Sequence, residues 1–158
     1  MNKPDNKTAF LQRKRAASGV HISRNVPTIV FVTVCTRNRV AWLAQPAAHA
    51  ALLAAWAEAD GWLIGFYMIM PDHIHFFCAP SDLEMPFKNW MRYWKSRFRK
   101  MTPGEEWRWQ SGEWDTRLRR SDNYHQKWEY VRSNPVLKKL VDDPDKWPFQ
   151  GELNVLRW

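Results

Sequence analysis

The chain has 158 residues, 45% of them hydrophobic, with 24 lysines and arginines against 16 aspartates and glutamates. This length and apolar content predict one globular domain whose core needs no disulfide or structural metal, which excludes a small stapled scaffold. The formal net charge of +8 favours a polyanionic partner, with nucleic acid ahead of an anionic membrane surface.

Cysteine use and hydropathy indicate the compartment. Cys35 and Cys78 both fall in apolar, strand-like runs, which predicts reduced, buried thiols rather than a secreted disulfide framework. The first ten residues lack the apolar stretch of a signal peptide, and no run reaches the roughly 18 apolar residues of a membrane span. We therefore expect a cytoplasmic protein with no membrane partner.

The N-terminal half predicts an arm followed by a strand and a helix. Residues 1–26 are polar and basic with little periodicity, so we expect a basic arm ahead of one domain over residues 27–158. The β-branched run at 28–36 predicts a central strand. The alanine-rich stretch at 46–59, which opens on a proline, predicts a helix.

Two strands and a basic helix are expected next. Apolar runs at 62–70 and 73–79, separated by a Pro-Asp turn signal, predict consecutive strands. Residues 81–101 predict an amphipathic helix. Its buried stripe, at spacings of three and four, consists of Phe87, Met91, Trp94, Phe98 and Met101.

The C-terminal third predicts a strand and one more helix. Residues 107–120 alternate loosely and indicate a fourth strand or a hairpin. A helix capped by Ser121 or Asp122 is expected to end near Asn134, because Pro135 disfavours helical geometry in the residue before it. The tail after it has little regular pattern.

This order of elements matches a ferredoxin-like split βαβ arrangement. We therefore predict an α+β fold, with an antiparallel sheet, helices on one face and an extra C-terminal helix that carries Tyr130. Such a fold hosts many functions, so function has to be argued from the site.

His73 and His75 stand two residues apart on the third predicted strand. Because side chains alternate along a strand, both imidazoles point to one face, while Ile74 and Phe76 point to the other. Two adjacent imidazoles supply half of a metal site. An isolated pair of this kind more often shares a solvated sheet face, so the motif alone leaves both interpretations open.

Tyr130 and Asn134 lie one turn apart on the last predicted helix. They lie away from its apolar stripe of Tyr124, Trp128 and Val131. The phenol and the amide are therefore expected to emerge side by side, although a half-exposed tyrosine is common on any helix.

These residues together predict phosphoryl-transfer chemistry. A phenol, with a pKa of about 10, is a poor nucleophile at neutral pH. A divalent metal held by His73 and His75 would polarise a phosphate that Tyr130 attacks, giving a covalent phosphotyrosine. Asn134 would supply a third, oxygen ligand. Imidazoles with an amide oxygen suit Mg²⁺ or Mn²⁺.

The segments MPDHIHFF, WEYVRSNPV and DKWPFQGE together resemble the single-tyrosine HUH transposases, specifically the REP-associated tyrosine transposases. The resemblance covers roughly residues 24–152 and places the two family histidines on His73 and His75. It places the nucleophile on Tyr130 and the polar residue that completes the metal site on Asn134. It implies cleavage and transfer of single-stranded DNA at hairpin-bearing REP repeats, with a divalent metal.

Two segments depart from that family pattern. Leu137-Lys138-Lys139 stand where the family commonly has a small-residue turn with glycine, which predicts an altered turn after the helix. The stretch GEWDTRLRR is less aromatic than the family pattern. Neither departure touches the predicted ligands or nucleophile.

Basic and aromatic side chains supply candidate DNA contacts, although each is equally compatible with a solvated surface. The tryptophans Trp107, Trp109 and Trp114 are candidate platforms for base stacking, although we expect most of them to lie in the core. The predicted DNA-binding residues are Arg92, Lys95, Arg99, Arg117, Arg119, Arg120 and Arg132.

Two alternatives remain at this point. The first is a domesticated DNA-binding protein that keeps the fold without catalysis. The second is a nucleotide hydrolase of the histidine-triad type, which ranks low because Phe77 occupies the place of the third histidine. The sequence leaves open whether the protein acts as a monomer or as a homodimer that exchanges the tyrosine helix.

Overall fold

The computed structural model describes residues 28–118 and 123–157. The predicted arm over residues 1–26 lies outside this part of the chain. The strands are β1 (Val30–Cys35), β2 (Trp62–Ile69), β3 (His73–Pro80), β4 (Trp114–Arg117) and β5 (Gln150–Glu152). The helices are α1 (Pro46–Glu58), α2 (Phe87–Met101), α3 (Tyr124–Arg132) and α4 (Asn134–Leu137).

The strands form one sheet in the order β4-β1-β3-β2-β5, in which every neighbouring pair is antiparallel. The first four strands have the ferredoxin-like order, which confirms the predicted α+β fold. β5 extends the sheet beside β2 and was not predicted. Its three residues, Gln150–Glu152, include a glycine and lack any β-branched side chain.

Helices cover both faces of the sheet. α1 and α2 pack on one face, where Trp56, Trp90 and Trp94 meet Val32 and Phe76 in the larger core cluster. The opposite face is covered by α3, whose Tyr124, Trp128 and Val131 are buried against Phe77 and Met68. Burial on both faces explains why β1 and β2 have nearly continuous apolar sequences.

The apolar stripe of α2 is confirmed, but its predicted start is wrong. Phe87, Met91, Trp94 and Phe98 are buried, and Met101 packs partly buried against the same core. The helix begins at Phe87 rather than Ser81, because Pro86 has extended backbone angles (φ −62°, ψ 137°). The residues before it form turns instead, in which Asp82 accepts a hydrogen bond from the Glu84 amide.

The region predicted as a strand or hairpin contains the short β4 as the one named strand in its described part, residues 107–118. Trp109 makes an isolated bridge to Thr36. Trp107 stacks on Trp42, with ring centroids 5.3 Å apart, so these two tryptophans belong to the core rather than to the surface. Trp114, by contrast, is 58% exposed.

The tyrosine helix is capped by a residue other than those predicted. The Asn123 side chain accepts a hydrogen bond from the Gln126 amide at 3.0 Å, and Ser121 and Asp122 lie outside the described residues. The helix breaks at Ser133, and α4 resumes with Pro135 in its first turn, where a missing N–H costs least. Across residues 28–118 and 123–157, we find no helix with the length and hydropathy of a membrane span.

Candidate active site

His73 and His75 lie on the sheet face that α3 covers. Their ring centroids are 4.7 Å apart, and His75 stacks on Phe31 at 5.4 Å. Phe31 in turn contacts Phe77, which belongs to the α3 core cluster. We call this side of the sheet the histidine face, with Phe31, His73, His75 and Phe77 as its members. The predicted alternation along β3 is therefore confirmed.

A carboxylate orients the His73 ring. Asp72 Oδ1 lies 2.7 Å from His73 Nδ1, and Arg39 Nε donates to Asp72 Oδ2 at 2.8 Å. An imidazole that donates Nδ1–H to a carboxylate presents the lone pair of Nε2 on the far side of the ring. This arrangement recurs in metal-binding histidines, because it holds the tautomer and raises the basicity of the ligand.

A hydroxyl and an aromatic ring orient His75. Thr33 Oγ1 lies 2.8 Å from His75 Nδ1, and the ring stacks on Phe31. Thr33 is directly opposite His75 in the antiparallel ladder between β1 and β3, which explains the contact. Both imidazoles are therefore held at Nδ1 by a neighbour on the sheet or its adjoining turn.

Electrostatics favour a neutral imidazole at position 73. Burial lowers the pKa of His73, Asp72 opposes that shift, and the cations Arg39 and Lys138 add to it. Burial raises the pKa of Asp72, but hydrogen bonds from His73 and Arg39 outweigh this effect and hold it below its ordinary value. A neutral histidine beside an ionised carboxylate is the state in which imidazole binds a metal.

Cys35 departs from the prediction that both cysteines are buried. Both thiols are free and Cys78 is buried, but Cys35 is only partly buried at the end of β1. Its sulfur accepts a hydrogen bond from Arg39 Nη1 at 3.0 Å. Cys35 pairs with His73 in the ladder, so its side chain belongs to the histidine face rather than to the α1 and α2 core.

The Tyr130 side chain is 72% exposed, so no packing role accounts for it. The contrast with Tyr124 is instructive, because Tyr124 is 5% exposed and its hydroxyl accepts a hydrogen bond from the Phe66 amide. Burial raises the pKa of Tyr124 to about 12, which makes it a structural residue. Tyr130 is the tyrosine of α3 that solvent and substrate can reach.

The tyrosine helix packs on the sheet near the end of β3. At its start, the rings of Tyr124 and Phe77 lie 4.9 Å apart, near the end of β3. Beyond its other end, Lys138 is close enough to His73 to lower that residue's pKa, and His73 is the first residue of β3. We therefore expect the tyrosine helix to continue toward the start of β3, where His73 lies.

The position of Tyr130 along the helix can be compared with the positions of the two histidines along β3. Tyr130 is six residues beyond Tyr124, a rise of about 9 Å along a helix. His75 and His73 are two and four residues from Phe77, or about 7 and 13 Å along a strand. From these rises we expect the phenol near the height of the histidine pair, on a helix that packs on the same face of the sheet; its approach to the imidazoles stays a prediction.

Asn134 is half-buried at the start of α4, one turn beyond Tyr130. Among residues 28–118 and 123–157, no cluster of three or more His, Cys, Asp or Glu side chains could hold a metal ion. A complete site built on His73 and His75 would therefore need a ligand of another type, such as the amide oxygen predicted at Asn134, or water. The ligand role of Asn134 stays a prediction.

Three of the predicted DNA contacts lie on the far side of the sheet. Arg92, Lys95 and Arg99 belong to α2, which packs on the face opposite the histidines. Lys95 is also engaged by Glu113 at 3.1 Å. A DNA strand on the histidine face could reach these side chains only by passing around an edge of the sheet.

The remaining predicted contacts differ in position. Arg117 pairs with Val30 in the ladder and is exposed, but Val30 belongs to the α1 and α2 core, so Arg117 projects to that side. Arg119 and Arg120 lie outside the described residues. Arg132 forms ion pairs with Glu129 and Asp145, so its charge is already compensated.

Two cations of the histidine face were missed by the sequence analysis. Lys127 Nζ lies 5.2 Å from the centroid of the Phe31 ring, which stacks on His75. Lys138 is the second cation, whose charge contributes to the lowered pKa of His73. The signal was present in the sequence, because residues 127, 130, 134 and 138 fall at the three- and four-residue spacings of one helix face.

Trp114 is an exposed aromatic residue on this side of the sheet. It lies opposite Thr33 in the ladder between β1 and β4, and residues directly opposite share a face. Thr33 contacts His75, so the indole lies one strand away from the histidine pair. Of the three tryptophans considered as stacking platforms, Trp114 has the exposure and position that base stacking requires.

Comparison with known proteins identifies the fold. A solved structure described as the REP-associated tyrosine transposase bound to a REP hairpin matches with a TM-score of 0.68 at 24% sequence identity. The match covers 82% of this chain and 81% of that one. No protein-family model and no curated protein matches the chain. The likeness confirms the fold that the sequence motifs predicted.

Proposed function

We propose that the protein is a metal-dependent endonuclease and strand transferase that acts on single-stranded DNA at hairpin repeats through a covalent phosphotyrosine. The observation that carries this proposal is an exposed phenol, Tyr130, on the helix that covers the sheet face of two imidazoles oriented by Asp72 and Thr33. The solved structure that shares the fold is bound to a REP hairpin, which supports hairpin DNA as the substrate class.

The residues present fit a hard divalent cation. His73 and His75 would supply two nitrogens and Asn134 an amide oxygen, a donor set that suits Mn²⁺ or Mg²⁺ with water in the remaining positions. The cation, when bound, would act as a Lewis acid on the scissile phosphate. Asp72 and Thr33 would keep both imidazoles in the orientation for binding.

The chemistry of the chain itself is nucleophilic displacement by a phenol. Tyr130 Oη loses its proton and forms a bond to phosphorus, while the bond from phosphorus to the leaving sugar oxygen breaks and that oxygen takes up a proton. The phosphotyrosine conserves the phosphodiester energy, so a second DNA hydroxyl can attack it and rejoin the strands. Trp114 would stack on a base of the bound strand.

We expect a single subunit to supply all of the required groups. α3 packs on the sheet of its own chain through Tyr124, Trp128 and Val131, and it covers the face that carries both histidines. This packing favours a monomer that acts in cis over a homodimer that exchanges tyrosine helices. Mixing the Tyr130→Phe protein with the His73→Ala protein distinguishes these two arrangements. The covalent adduct would form in that mixture only if the tyrosine of one subunit acts at the histidines of another.

The central experiment is incubation with labelled hairpin oligonucleotides and Mn²⁺ or Mg²⁺, followed by denaturing gels. We expect label that stays attached to the protein, and loss of this adduct in Tyr130→Phe and His73→Ala. Tyr93→Phe is the matched control, because Tyr93 is a 48% exposed tyrosine on α2, on the far side of the sheet, and should leave the adduct intact.

Two outcomes would reject this function. Adduct that persists in Tyr130→Phe would assign the nucleophile elsewhere. Tight hairpin binding by the wild type with no adduct under any metal would leave the alternative function, a non-catalytic DNA-binding protein of the same fold.

A further inference from the structure

We infer that Lys127 and Lys138 hold backbone phosphates on either side of the scissile phosphate, so that a single DNA strand lies along the tyrosine helix. This inference deepens the proposed function and rests on it. It assigns a DNA-binding role to two residues outside the arginine-rich set that the sequence predicted.

The first support is the shared helix face. At about 100° per residue, positions 127, 130, 134 and 138 fall within roughly 80° of one another around a helix. The helical path continues through the break, because Ser133 keeps helical angles and the Lys138 amide donates to the Asn134 carbonyl at 2.9 Å. Tyr130 and Asn134 are therefore flanked by a lysine on each side.

The second support is the position of that face over the histidines. Lys127 lies over Phe31, the ring on which His75 stacks, and Lys138 is within electrostatic reach of His73. The two lysines thus flank the phenol along this helix face, and Lys127 also lies beside the ring that stacks on His75. Their eleven-residue separation corresponds to roughly 16 Å along a helix. This exceeds the spacing of about 3.4 Å between phosphates on a stacked strand, so each lysine can reach a different phosphate.

The third support is the balance of charge around the helix. Arg132 is paired with Glu129 and Asp145, and Lys146 with Asp142. In the part of the chain that the structure describes, neither Lys127 nor Lys138 has a carboxylate at ion-pair distance. Both side chains are on exposed residues, so their charges are available to a polyanion.

Lysine suits this role because its ammonium is a compact charge on a flexible stem, which follows a phosphate without demanding one geometry. Each phosphate that a lysine neutralises releases counterions. The logarithm of the binding constant for a single strand therefore falls with the logarithm of salt concentration by about 0.7 per contact. Salt dependence separates a phosphate contact from a general loss of stability.

The test measures binding of a fluorescein-labelled oligothymidylate by anisotropy at several salt concentrations, in EDTA so that no cleavage occurs. We expect Lys127→Ala and Lys138→Ala each to lower the salt slope by about 0.7, and the double variant by about 1.4. Lys127→Arg and Lys138→Arg should restore the slope, because they keep the charge.

Lys146→Ala and Lys100→Ala are the controls. Lys146 is already paired with Asp142, and Lys100 is exposed on α2, on the opposite face. Both should retain the wild-type slope. Thermal unfolding of every variant checks that Lys127→Ala, which loses its contact with Phe31, remains folded at the temperature of the binding assay.

The outcomes separate this inference from the proposed function. Wild-type slopes in both alanine variants would overturn the phosphate contacts, even if hairpin adduct still forms. Failure of the wild-type protein to bind the oligonucleotide would overturn them as well. Lowered salt slopes in the alanine variants, together with no hairpin adduct from the wild type, would support the phosphate contacts and reject the proposed nuclease activity.

Discussion

Asp72 Oδ1 lies 2.7 Å from His73 Nδ1, and the same carboxylate accepts a hydrogen bond from Arg39 through its other oxygen. The side chain of Asp72, which the sequence analysis treated only as part of a turn signal, thus holds the ring of His73, a predicted metal ligand. Arg39, which donates to Asp72, has a left-handed backbone conformation (φ 56°). Its neighbour Asn38 has the same conformation (φ 55°). Two consecutive non-glycine residues in this region carry strain of order 1–3 kcal/mol each, which the surrounding contacts must offset.

This relationship predicts a loss of metal affinity on removing the carboxylate. Asp72→Ala should weaken Mn²⁺ binding by about 10- to 100-fold, because the tautomer and orientation of His73 are no longer held. Asp72→Asn should lie between, since its oxygen still accepts from Nδ1–H but carries no charge. Titration calorimetry with Mn²⁺ measures the effect. Glu105→Gln, at an exposed glutamate beyond α2, is the control, and equal affinities for all four proteins would contradict the prediction.

Gly65 permits the close approach of the tyrosine helix to the sheet. A Cβ at this position would lie 2.5 Å from Tyr124 Oη and 2.7 Å from Leu156 Cδ1. Gly65→Ala should therefore destabilise the protein by about 1–3 kcal/mol, as overpacking does, and displace α3. We expect urea denaturation to show the loss, together with a lower yield of hairpin adduct per folded molecule.

Gly61→Ala is a matched control for that displacement. Its Cβ would meet Met85 Cγ at 2.8 Å, and Met85 packs against the α1 and α2 core rather than against α3. Gly61→Ala should lower the free energy of unfolding without changing the yield of hairpin adduct per folded molecule. Equal adduct yields in the two glycine variants would show that Gly65 does not set the position of the tyrosine.

The turn after α4 contains a left-handed residue. Lys139 has φ 58°, in the Leu137-Lys138-Lys139 stretch that stands where the resembled family commonly has a small-residue turn with glycine. Lys139→Gly should stabilise the protein by about 1 kcal/mol, because a side chain disfavours this conformation and glycine does not. Lys138→Gly, at φ −87°, should give no such gain. The midpoints of urea unfolding compare the two, and a loss of stability in Lys139→Gly would refute the argument.

A histidine distant from the proposed site predicts pH-dependent stability. Burial lowers the pKa of His49, whose Nε2 lies 2.9 Å from the Tyr67 hydroxyl. The unfolded chain, with a histidine pKa near 6.5, therefore binds a proton that the folded chain resists. The contribution of His49 to the free energy of unfolding is therefore present above pH 6.5. It is lost as the pH falls through the pKa of His49 in the folded state. His49→Gln should flatten the dependence of unfolding free energy on pH in this range, and an unchanged profile would exclude the effect.

Local sequence patterns determined most of the secondary structure and the chemistry of the candidate site. Alternation along β3 was enough to place His73 and His75 on one face, because strand geometry repeats every two residues. Helical periodicity was enough to separate the buried Tyr124 from the exposed Tyr130. Cap and start positions were less predictable, since α2 begins six residues later than expected and Asn123 caps α3.

Tertiary structure alone decided which helices and which basic side chains lie on the same side of the sheet as the histidines. The sequence shows that α2 and α3 are each amphipathic, but not that they cover opposite faces, so the sequence analysis selected Arg92 and Arg99 for DNA and passed over Lys127. Contacts between residues distant in the chain, such as Arg39 with Asp72, and the pairing of β5 with β2 are likewise set by packing. Periodicity is a local property of the backbone, whereas the choice of face depends on how the whole chain buries its apolar surface.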